Sequence, residues 1–583
     1  MILTSVSETG LSLEEVEWGL TAAAVGLAVA WPKLGFAWFS RVERIFAQLA
    51  RRQRLAVFVV GLAALLLRLA LLPLSPIPQP FTPDDFSFLL AGYTFASGRL
   101  ANPTPAMWTH FESIHITMQP TYASMYFPAQ GLILGAGKAL FGHPWFGLLC
   151  VTSLMCAAIC WMLQAWLPPS WALLGGCIAI LRLGIFSYWI NTYTGAGSIA
   201  ALGGALVLGA FPRILRTARL SDCMLLALGI VIAAMSRAYE GFLLCLPVAF
   251  VLGRWILTGK NRPAASVLIR RAALPLAMVV AGGLWMGYYD YKAFGSPTTL
   301  PYQVDRATYA ISPYWIWQRP GPEPAYRHTV FRDFYVKGEF SVIKKYRTPI
   351  GFVLQNLAKP VMAINFYGGI ALLPALIMLP RALRDRRIRF FAIAGGVVWA
   401  PGLFIIIFFL PHYLAPFTAA LYAVGLQCMR HLRVWRPRQL PIGLGMVRFV
   451  VALCVVLAAI RASAQPLHLG LCDWPPGAWT ANWIGTGQLG ARRTGVEERL
   501  ERFPGKQLAI VRYAPEHDPV WEWVYNAPDI DGSKVIWARE MDSSNNAELI
   551  AHYKDRHVWL VEPDAMPAKL SPYPMPVQVA GAH

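Results

Sequence analysis

The chain has 583 residues, of which 56% are hydrophobic and only 14% are charged, with a formal net charge of +20. Soluble proteins average about a quarter charged residues, so this composition indicates an integral membrane protein. The Lys and Arg residues lie mostly in short loops between apolar segments, which is the pattern of a multispanning topology rather than of nucleic-acid binding.

Apolar segments long enough to cross a bilayer recur from residue 55 to residue 463. The spans are predicted near 55–74, 144–164, 170–189, 197–212, 222–236, 240–258, 271–289, 361–380, 390–410, 413–428 and 447–463. A further apolar stretch at 18–31 ends at Pro32 and is either a span or an interfacial helix. The predicted total is therefore 11 or 12 spans.

Alternate loops are basic, which sets the orientation by the positive-inside rule. The basic loops at 32–54, 213–221, 259–271, 381–389 and 429–448 are predicted to be cytoplasmic. The long loops 75–143 and 290–360 and the C-terminal tail then face the opposite side. For a bacterial cell this predicts a multi-pass protein of the cytoplasmic (inner) membrane with these regions in the periplasm.

The tail after residue 464 is of a different kind. Short β-rich runs at 507–513, 534–539 and 557–562 alternate with predicted helices at 519–526 and 545–553, which predicts a small parallel α/β domain. Residues 464–583 carry 11 Lys and Arg against 15 Asp and Glu, opposite in sign to the whole chain. The predicted organisation is an N-terminal segment (1–54), an α-helical transmembrane region (55–463) and a C-terminal α/β domain (464–583).

The loop Phe81–Gln130 contains an adjacent acidic pair, Asp84 and Asp85, within about a dozen residues of a predicted span. Carboxylates so close to hydrocarbon are expensive and usually functional. Adjacent side chains point in different directions, so one carboxylate is expected to act as a general base while its neighbour orients it or binds a cation. The alternative is that Pro83-Asp84-Asp85 starts a helix and stabilises its N-terminus.

Three further polar residues, His110, Glu112 and His115, lie in the same loop as part of HFESIH. Together with the aspartates they are candidates for binding one divalent cation, Mg²⁺ or Mn²⁺, with Asp84, Asp85, His110 and Glu112 as the possible ligands. The alternative is that these loop residues bond to one another.

Polar clusters recur near the same predicted outer face. Arg237 is the only basic residue of its turn and needs either Glu240 or an anionic ligand such as a phosphate. His412 and Tyr413 lie at about the same depth. Further candidates for substrate contact are Tyr188, Asn191 and Tyr193 in YWINTY and Tyr302 in the aromatic-rich loop 290–318, which equally suits a sugar or a headgroup interface.

Several sequence motifs that carry other activities are missing. The chain has no GxxxxGK[ST], GxGxxG after a strand, HExxH or GxSxG. An ATP-driven pump or a membrane metalloprotease therefore has little support.

The run DDFSFLLAGYTFASGRL resembles the first-loop acidic motif of the GT-C glycosyltransferases, in particular the bacterial family 39-like, protein-mannosyltransferase-related branch. The runs SYWINTYTGAG, SRAYEG, FGSPTTLPYQV and PHYLAP also look like that branch, and the resemblance covers roughly residues 55–430.

This resemblance implies transfer of a sugar from a polyprenyl-phosphate donor to a glycan, lipid or protein acceptor at the outer membrane face, usually with inversion. The presumed base of the motif falls on Asp84, whereas Asp85 stands where the family usually has Glu. Contacts from Arg237 and His412 to the donor phosphate are inferred from depth and charge. The competing hypothesis is a non-catalytic lipid-handling transporter or cell-envelope assembly scaffold, and a lipid-linked polymer ligase would differ only in its acceptor.

Overall fold

The computed structural model describes residues 13–259, 262–464, 467 and 490–574. Parts of the predicted N-terminal segment and C-terminal domain lie outside these residues. Within them the chain is mostly helical, and its only sheet of more than two strands is near the C-terminus.

Three helices lead into the loop 75–143, which we name the first outer loop after its predicted side; the loop 290–360 is the second. The first outer loop has a short hairpin between two helices. These elements are α1 (Leu13–Ala30), α2 (Phe36–Arg51), α3 (Gln53–Ala70), α4 (Pro83–Ala96), α5 (Trp108–Phe111), β1 (Ile116–Thr117), β2 (Ala123–Ser124) and α6 (Pro128–Phe141). Helix α1 covers the stretch whose nature the sequence left open. It packs against the last membrane helix, and its buried Glu17 pairs with Arg182 at 3.4 Å.

The apolar region continues with long helices and then with shorter, broken ones. The helices before the second outer loop are α7 (Pro144–Trp166), α8 (Pro169–Ala179), α9 (Tyr188–Asn191), α10 (Gly197–Thr217), α11 (Leu220–Ser236), α12 (Ala238–Thr258) and α13 (Ala265–Phe294). The second outer loop holds α14 (Pro301–Tyr309), α15 (Thr329–Arg332) and α16 (Phe340–Tyr346). After it come α17 (Pro349–Tyr367), α18 (Leu379–Leu383), α19 (Arg389–Ala394), α20 (Ala400–Phe404), α21 (Thr418–Arg433) and α22 (Ile442–Ala464).

Six helices of the described chain are long and apolar enough to cross a membrane, namely α3, α7, α10, α12, α13 and α22. A bent pair, Pro349–Tyr367 with Ile370–Leu383, makes a seventh if it counts as one span. Three shorter apolar helices, Pro169–Gly184, Leu220–Ser236 and Arg389–Phe404, and helix α21 coincide with the remaining predicted spans. Each predicted segment is therefore helical, although prolines and π- or 3₁₀-helical turns shorten several of them.

Helix α10 lies at the centre of this bundle and is buried along most of its length. It packs between α7 and α11, and its glycines allow a close approach. A Cβ added at Gly204 would lie only 1.8 Å from the carbonyl oxygen of Pro416, so a side chain there would push these segments apart.

The C-terminal region contains a four-stranded sheet with one helix before it and one within it. Its elements are α23 (Ala491–Arg502), β3 (Lys506–Val511), β4 (Val535–Arg539), α24 (Ser543–His552), β5 (Arg556–Glu562) and β6 (Lys569–Pro572). The strand order is β4-β3-β5-β6, in which β3 runs parallel to β4 and β5 while β6 is antiparallel.

The strands and the helix at 545–553 agree with the sequence prediction, but the predicted helix at 519–526 is wrong. That segment is irregular because the Glu522 carboxylate accepts hydrogen bonds from the backbone N–H groups of Trp523 and Val524, at 2.9 and 2.8 Å. These donors are therefore not available to a helix.

Candidate active site

Helix α4 presents both aspartates of the first outer loop in its first turn. Thr82 is the N-cap, and its hydroxyl accepts a hydrogen bond from the backbone N–H of Asp85 at 3.2 Å. Asp85 bonds back through Oδ2 to the N–H groups of Thr82 and Phe81, while its Oδ1 accepts from the N–H of Tyr193 at 2.9 Å. Burial raises the pKa of Asp85 to about 6 despite these backbone donors. The capping alternative therefore describes Asp85 well.

Asp84 is in a different environment, although it is the next residue. Its Oδ1 accepts hydrogen bonds from the hydroxyl of Tyr126 and from Nδ1 of His115, both at 2.5 Å, and its Oδ2 accepts from the hydroxyl of Thr194 at 2.9 Å. Burial alone would raise the pKa of Asp84, but the charge of His115 and these three donors hold it well below its usual range. The side chain nevertheless remains 27% exposed. Asp84 thus has a lowered pKa and a side chain that is partly open to solvent.

His115 is held by the backbone as well as by its ring. Its φ is +65°, in the left-handed region that few non-glycine residues adopt. Its carbonyl accepts from the Ser87 hydroxyl at 2.6 Å and from the Met125 N–H at 3.2 Å. Backbone strain of this kind persists where surrounding contacts fix it, often at functional sites.

The charge environment of His115 favours its protonated form. Burial lowers the pKa of His115, but Asp84 and, more distantly, Asp305 and Glu339 outweigh burial and raise it. Because a carboxylate can only accept, Nδ1 must carry the proton that lies between His115 and Asp84.

The residues Thr194 and Gly195 connect Asp84 to a buried arginine. Thr194 bonds to Asp84, and the carbonyl of the next residue, Gly195, accepts a hydrogen bond from Nη2 of Arg237 at 3.0 Å. The guanidinium lies 4.5 Å from the centre of the Tyr413 ring, within cation–π range. Gly195 has a φ of +84°, and a Cβ there would lie 2.6 Å from Nδ1 of His412. Only glycine fits this junction.

The alternative partner of Arg237 was Glu240. Both residues are buried, but none of the ion pairs within 4.0 Å in the described part of the chain joins them. The guanidinium instead donates to a carbonyl and lies over a ring, while the charge of Glu240 acts on it from beyond ion-pair distance. This environment suits an anionic ligand.

Two other predicted residues line the same region. The hydroxyl of Tyr188 bonds to Nδ1 of His412 at 2.8 Å and accepts from the His412 backbone N–H at 3.1 Å. The ring of Tyr302 packs edge-on against Tyr126 with ring centres 5.5 Å apart. The structure thus brings together Asp84, His115, Arg237, His412, Tyr413, Tyr188 and Tyr302 around the 194–195 junction.

His110 and Glu112 are not part of this cluster. Nδ1 of His110 lies 3.0 Å from the carbonyl oxygen of Arg539 in the C-terminal sheet. Glu112, whose side chain is only 3% exposed, accepts from the Tyr309 hydroxyl at 2.8 Å and pairs with Arg327 and His328, both at 3.3 Å. Although burial would raise the pKa of Glu112, His328 and Tyr309 hold it below its ordinary value.

The suggested metal set is therefore not assembled. In residues 13–259, 262–464, 467 and 490–574, no three His, Cys, Asp or Glu side chains lie close enough to hold a metal ion. Asp85 is bonded to backbone groups, and Glu112 is bonded to three side chains of the second outer loop. These residues as arranged do not fit a divalent cation.

Asn191 and Tyr193 have partners within the protein. Asn191 accepts from Nη2 of Arg68 at 3.0 Å and donates to the carbonyls of Ile185 and Ser187. Tyr193 donates its hydroxyl to the carbonyl of Pro78 at 3.1 Å. Both residues thus fix the backbone that carries Thr194.

Sequence reasoning missed Tyr126, Thr194 and Gly195 as parts of the site. Thr194 and Gly195 lie within the motif SYWINTYTGAG, so that motif is the signal from which they could be predicted. Tyr126 is 42 residues from Asp84, and nothing local in the sequence indicates their contact.

No family model matches the chain, and no curated protein matches it by sequence. Solved structures of two kinds are similar to it. ArnT from Cupriavidus metallidurans bound to undecaprenyl phosphate has 13% identity and a TM-score of 0.44, covering 87% of this chain and 92% of that one. Oligosaccharyltransferase AglB from Archaeoglobus fulgidus in complex with an inhibitory peptide and a dolichol-phosphate has 10% identity and a TM-score of 0.45, covering 88% and 69%.

A further structure of the Archaeoglobus fulgidus oligosaccharyltransferase, in complex with Zn and sulfate, has 12% identity and a TM-score of 0.41, covering 87% of this chain and 67% of that one. These identities and scores are low, so functional conclusions depend on the geometry of the site.

Proposed function

We propose that this protein is an inverting glycosyltransferase that moves a sugar from a polyprenyl-phosphate donor to an acceptor at the outer face of the cytoplasmic membrane. One observation carries the proposal. Consecutive residues, Thr194 and Gly195, bond to an accessible carboxylate, Asp84, and to a buried guanidinium, Arg237. Asp84, proposed to act on the acceptor, and Arg237, proposed to act on the leaving phosphate, are therefore bonded to adjacent residues of the chain.

Asp84 is proposed to act on the acceptor. As the acceptor oxygen forms its bond to the anomeric carbon, its proton passes to the Asp84 carboxylate, which is the general base. Because its donors lower the pKa of Asp84, the carboxylate is ionised at neutral pH but is a weak base. Proton transfer is therefore expected late, when the acceptor oxygen has become acidic through bond formation.

Arg237 is proposed to act on the donor. The bond from the anomeric carbon to the phosphate oxygen breaks on the side opposite to the attack, and negative charge collects on the lipid phosphate. A buried guanidinium held by an uncharged carbonyl and a ring neutralises that charge without having to reorganise. His412 and Tyr413 adjoin the guanidinium and would complete this end of the site.

The location of Arg237 supports a donor that arrives through the bilayer. Arg237 is the single residue between α11 and α12, and α12 is one of the helices long and apolar enough to span a membrane. A phosphate carried on an isoprenoid chain would reach that depth with its chain still in hydrocarbon. We propose that the site faces the periplasm and that the acceptor is a hydroxyl-bearing glycan, lipid or protein.

The decisive experiment is transfer by the purified full-length protein from a panel of polyprenyl-phosphate sugars, with Asp84→Asn alongside. Loss of transfer in this variant, at unchanged thermal stability, would support the enzyme and its base. Saturable binding of polyprenyl phosphate without transfer by either protein would favour the lipid-handling scaffold instead. A parallel arm with a chelator tests the divalent cation predicted from the sequence.

A further inference from the structure

We infer that the C-terminal domain acts as a clamp that holds the first outer loop in place. Within this clamp, Arg539 is a positioning residue for the segment that places His115 beside Asp84. The catalytic part of this inference depends on the proposed function, whereas the clamp itself does not. Four sets of contacts carry it.

The first set is a shared hydrophobic core. Five buried residues of the first outer loop pack in one cluster with buried residues of the C-terminal sheet and its helix. The loop contributes Leu90, Phe111, Ile116, Met118 and Tyr122, and the C-terminal region contributes Leu508, Ile510, Ile530, Ile536, Ala538, Leu549 and Tyr553. The other face of the sheet has a cluster made only of C-terminal residues, among them Ala509, Val511 and Trp537, so the first outer loop covers one of the two faces of the sheet.

The second set of contacts flanks the two aspartates. The backbone N–H of Glu522 donates to the carbonyl of Phe81 at 3.2 Å, and the rings of Phe81 and Trp521 lie 5.5 Å apart. On the other side of the pair, Phe86 stacks on Tyr525 at 4.6 Å. The C-terminal domain thus contacts the start of α4 on both sides of Asp84 and Asp85, at Phe81 and at Phe86.

Tyr122 provides the third contact. Its hydroxyl, buried in the loop, donates to the carbonyl of Asn526 at 2.6 Å. The amide of Asn526 in turn bonds to the backbone of Trp537 in strand β4, through both its oxygen and its nitrogen. The hairpin of the first outer loop is therefore tied to the sheet through one residue.

Arg539 makes the fourth set, at the end of strand β4. Its Nε donates to the carbonyl of Glu112 at 2.6 Å, and its own carbonyl meets Nδ1 of His110 at 3.0 Å. The guanidinium also pairs with Glu522 at 2.5 Å, and both side chains are almost fully buried. Arg539 therefore connects residues 110–112 to Glu522, whose backbone bonds to Phe81.

Positioning of His115 follows from chain geometry. Glu112 is three residues before His115, and the His115 backbone is constrained at its carbonyl by Ser87 and Met125. Arg539 fixes the other end of this three-residue connection, in which His115 alone has a positive φ. Release of the Glu112 carbonyl would let the segment relax from its strained conformation and move the imidazole away from Asp84.

The test compares Arg539→Met with Arg556→Met in the full-length protein. Arg556 is a matched control because it is also a buried arginine of the sheet, but its hydrogen bonds go to carbonyls within the domain, those of Gln507, Asp531, Ser533 and Lys534. Hydrogen exchange is followed by mass spectrometry for peptides spanning 81–90 and 108–126. Arg539→Met is expected to increase exchange in both regions at least tenfold, whereas Arg556→Met should increase it only within 506–562.

Transfer assays give the second readout. Arg539→Met is expected to lower kcat per folded molecule about tenfold, since misplaced catalytic groups lose proximity, while the donor KM stays within twofold. Arg556→Met should leave both values per folded molecule unchanged. If Arg539→Met does not yield folded protein, Tyr122→Phe removes one hydrogen bond of the clamp and should increase exchange in 116–126.

Two results would overturn the clamp. In one, Arg539→Met increases hydrogen exchange only in the C-terminal strands; in the other, both arginine variants increase exchange in the first outer loop equally. If the wild type transfers no sugar but Arg539→Met selectively increases hydrogen exchange in the first outer loop, the proposed function is refuted and the clamp is supported. Loosened loop peptides with unchanged kcat would keep the clamp and overturn Arg539 as a positioning residue.

Discussion

Two carboxylates of the first outer loop, Asp84 and Glu112, each gather three side chains around them, but they differ in access. The side chain of Asp84 is 27% exposed, and its donors are one imidazole and two hydroxyls. The side chain of Glu112 is 3% exposed and is bound by an arginine, a histidine and a tyrosine of the second outer loop. Their partners lower the pKa of both carboxylates, but of the two only Asp84 is partly open to solvent.

Under the proposed function, this contrast is one between a general base, Asp84, and a structural carboxylate, Glu112. Glu112 joins the first outer loop to α14 and to the segment before α15, and its backbone carbonyl joins the same loop to the C-terminal sheet. A buried carboxylate with cationic partners holds segments together, and its removal leaves those partners unsatisfied. The comparison therefore predicts loss of chemistry at one position and loss of stability at the other.

The largest effect is expected for Asp84→Asn. The amide keeps the shape and can still accept from Tyr126 or Thr194, but it cannot take up a proton. The rate of transfer should fall by about 10²–10⁴-fold, the usual contribution of a general base. The measurement is the initial rate with saturating donor, and Asp85→Asn, at the adjacent residue, is the control. Transfer by Asp84→Asn at near the wild-type rate would rule out Asp84 as the base.

Arg237→Met is expected to follow, with a loss of about 10²–10³-fold in kcat/KM, comparable to loss of one oxyanion donor. Arg213 offers a matched control, because its guanidinium also stacks on a ring, that of Trp161 at 4.0 Å, and also donates to backbone carbonyls. Arg213→Met should change kcat/KM less than threefold. Equal losses in both variants would mean that Arg237 supports the fold rather than the leaving phosphate.

His115→Gln should produce an intermediate effect with a characteristic pH dependence. At present the pKa of Asp84 lies well below its usual range because of His115, Tyr126 and Thr194. Without the imidazole charge the pKa should rise toward the ordinary value of about 4, so the ionised, active form is lost at higher pH. The kcat/KM of the wild type should therefore show no acidic limb between pH 3.5 and 8, whereas that of His115→Gln should begin to fall toward the acidic end of this range. Identical profiles for the two proteins would show that Asp84 does not control the limb.

Glu112→Gln should have the smallest effect on chemistry and a clear effect on stability. Loss of the buried charge weakens the contacts of Glu112 with the half-exposed Arg327, with His328 and with Tyr309, at a cost of about 1–3 kcal/mol. Thermal unfolding should therefore shift to lower temperature, while kcat per folded molecule changes less than threefold. A large drop in kcat without destabilisation would place Glu112 in the chemistry and remove the contrast with Asp84.

Much of the architecture was predictable from the sequence, because hydrophobic length and basic loops are local signals. Every predicted span corresponds to a helix or a bent pair of helices, and the three strands of the tail lie within a residue or two of their predicted positions. The helix at 519–526 was mispredicted because a single side chain, Glu522, takes the backbone donors that a helix would need. Such competition depends on contacts with Arg539 and Tyr513, which are distant or unmarked in the sequence.

The sequence by itself determined the membrane class, the acidic pair at the start of the first outer loop and the prominence of Asp84, because an unusual charge beside an apolar segment is visible in one dimension. Only the tertiary structure decided which aspartate is accessible, that His115 joins it while His110 and Glu112 do not, and that Thr194 and Gly195 link it to Arg237. The adjacent residues Asp84 and Asp85 have different partners, whereas residues 42 and 110 positions from Asp84 bond to it. The reason is that packing, not sequence distance, decides which donors reach a carboxylate.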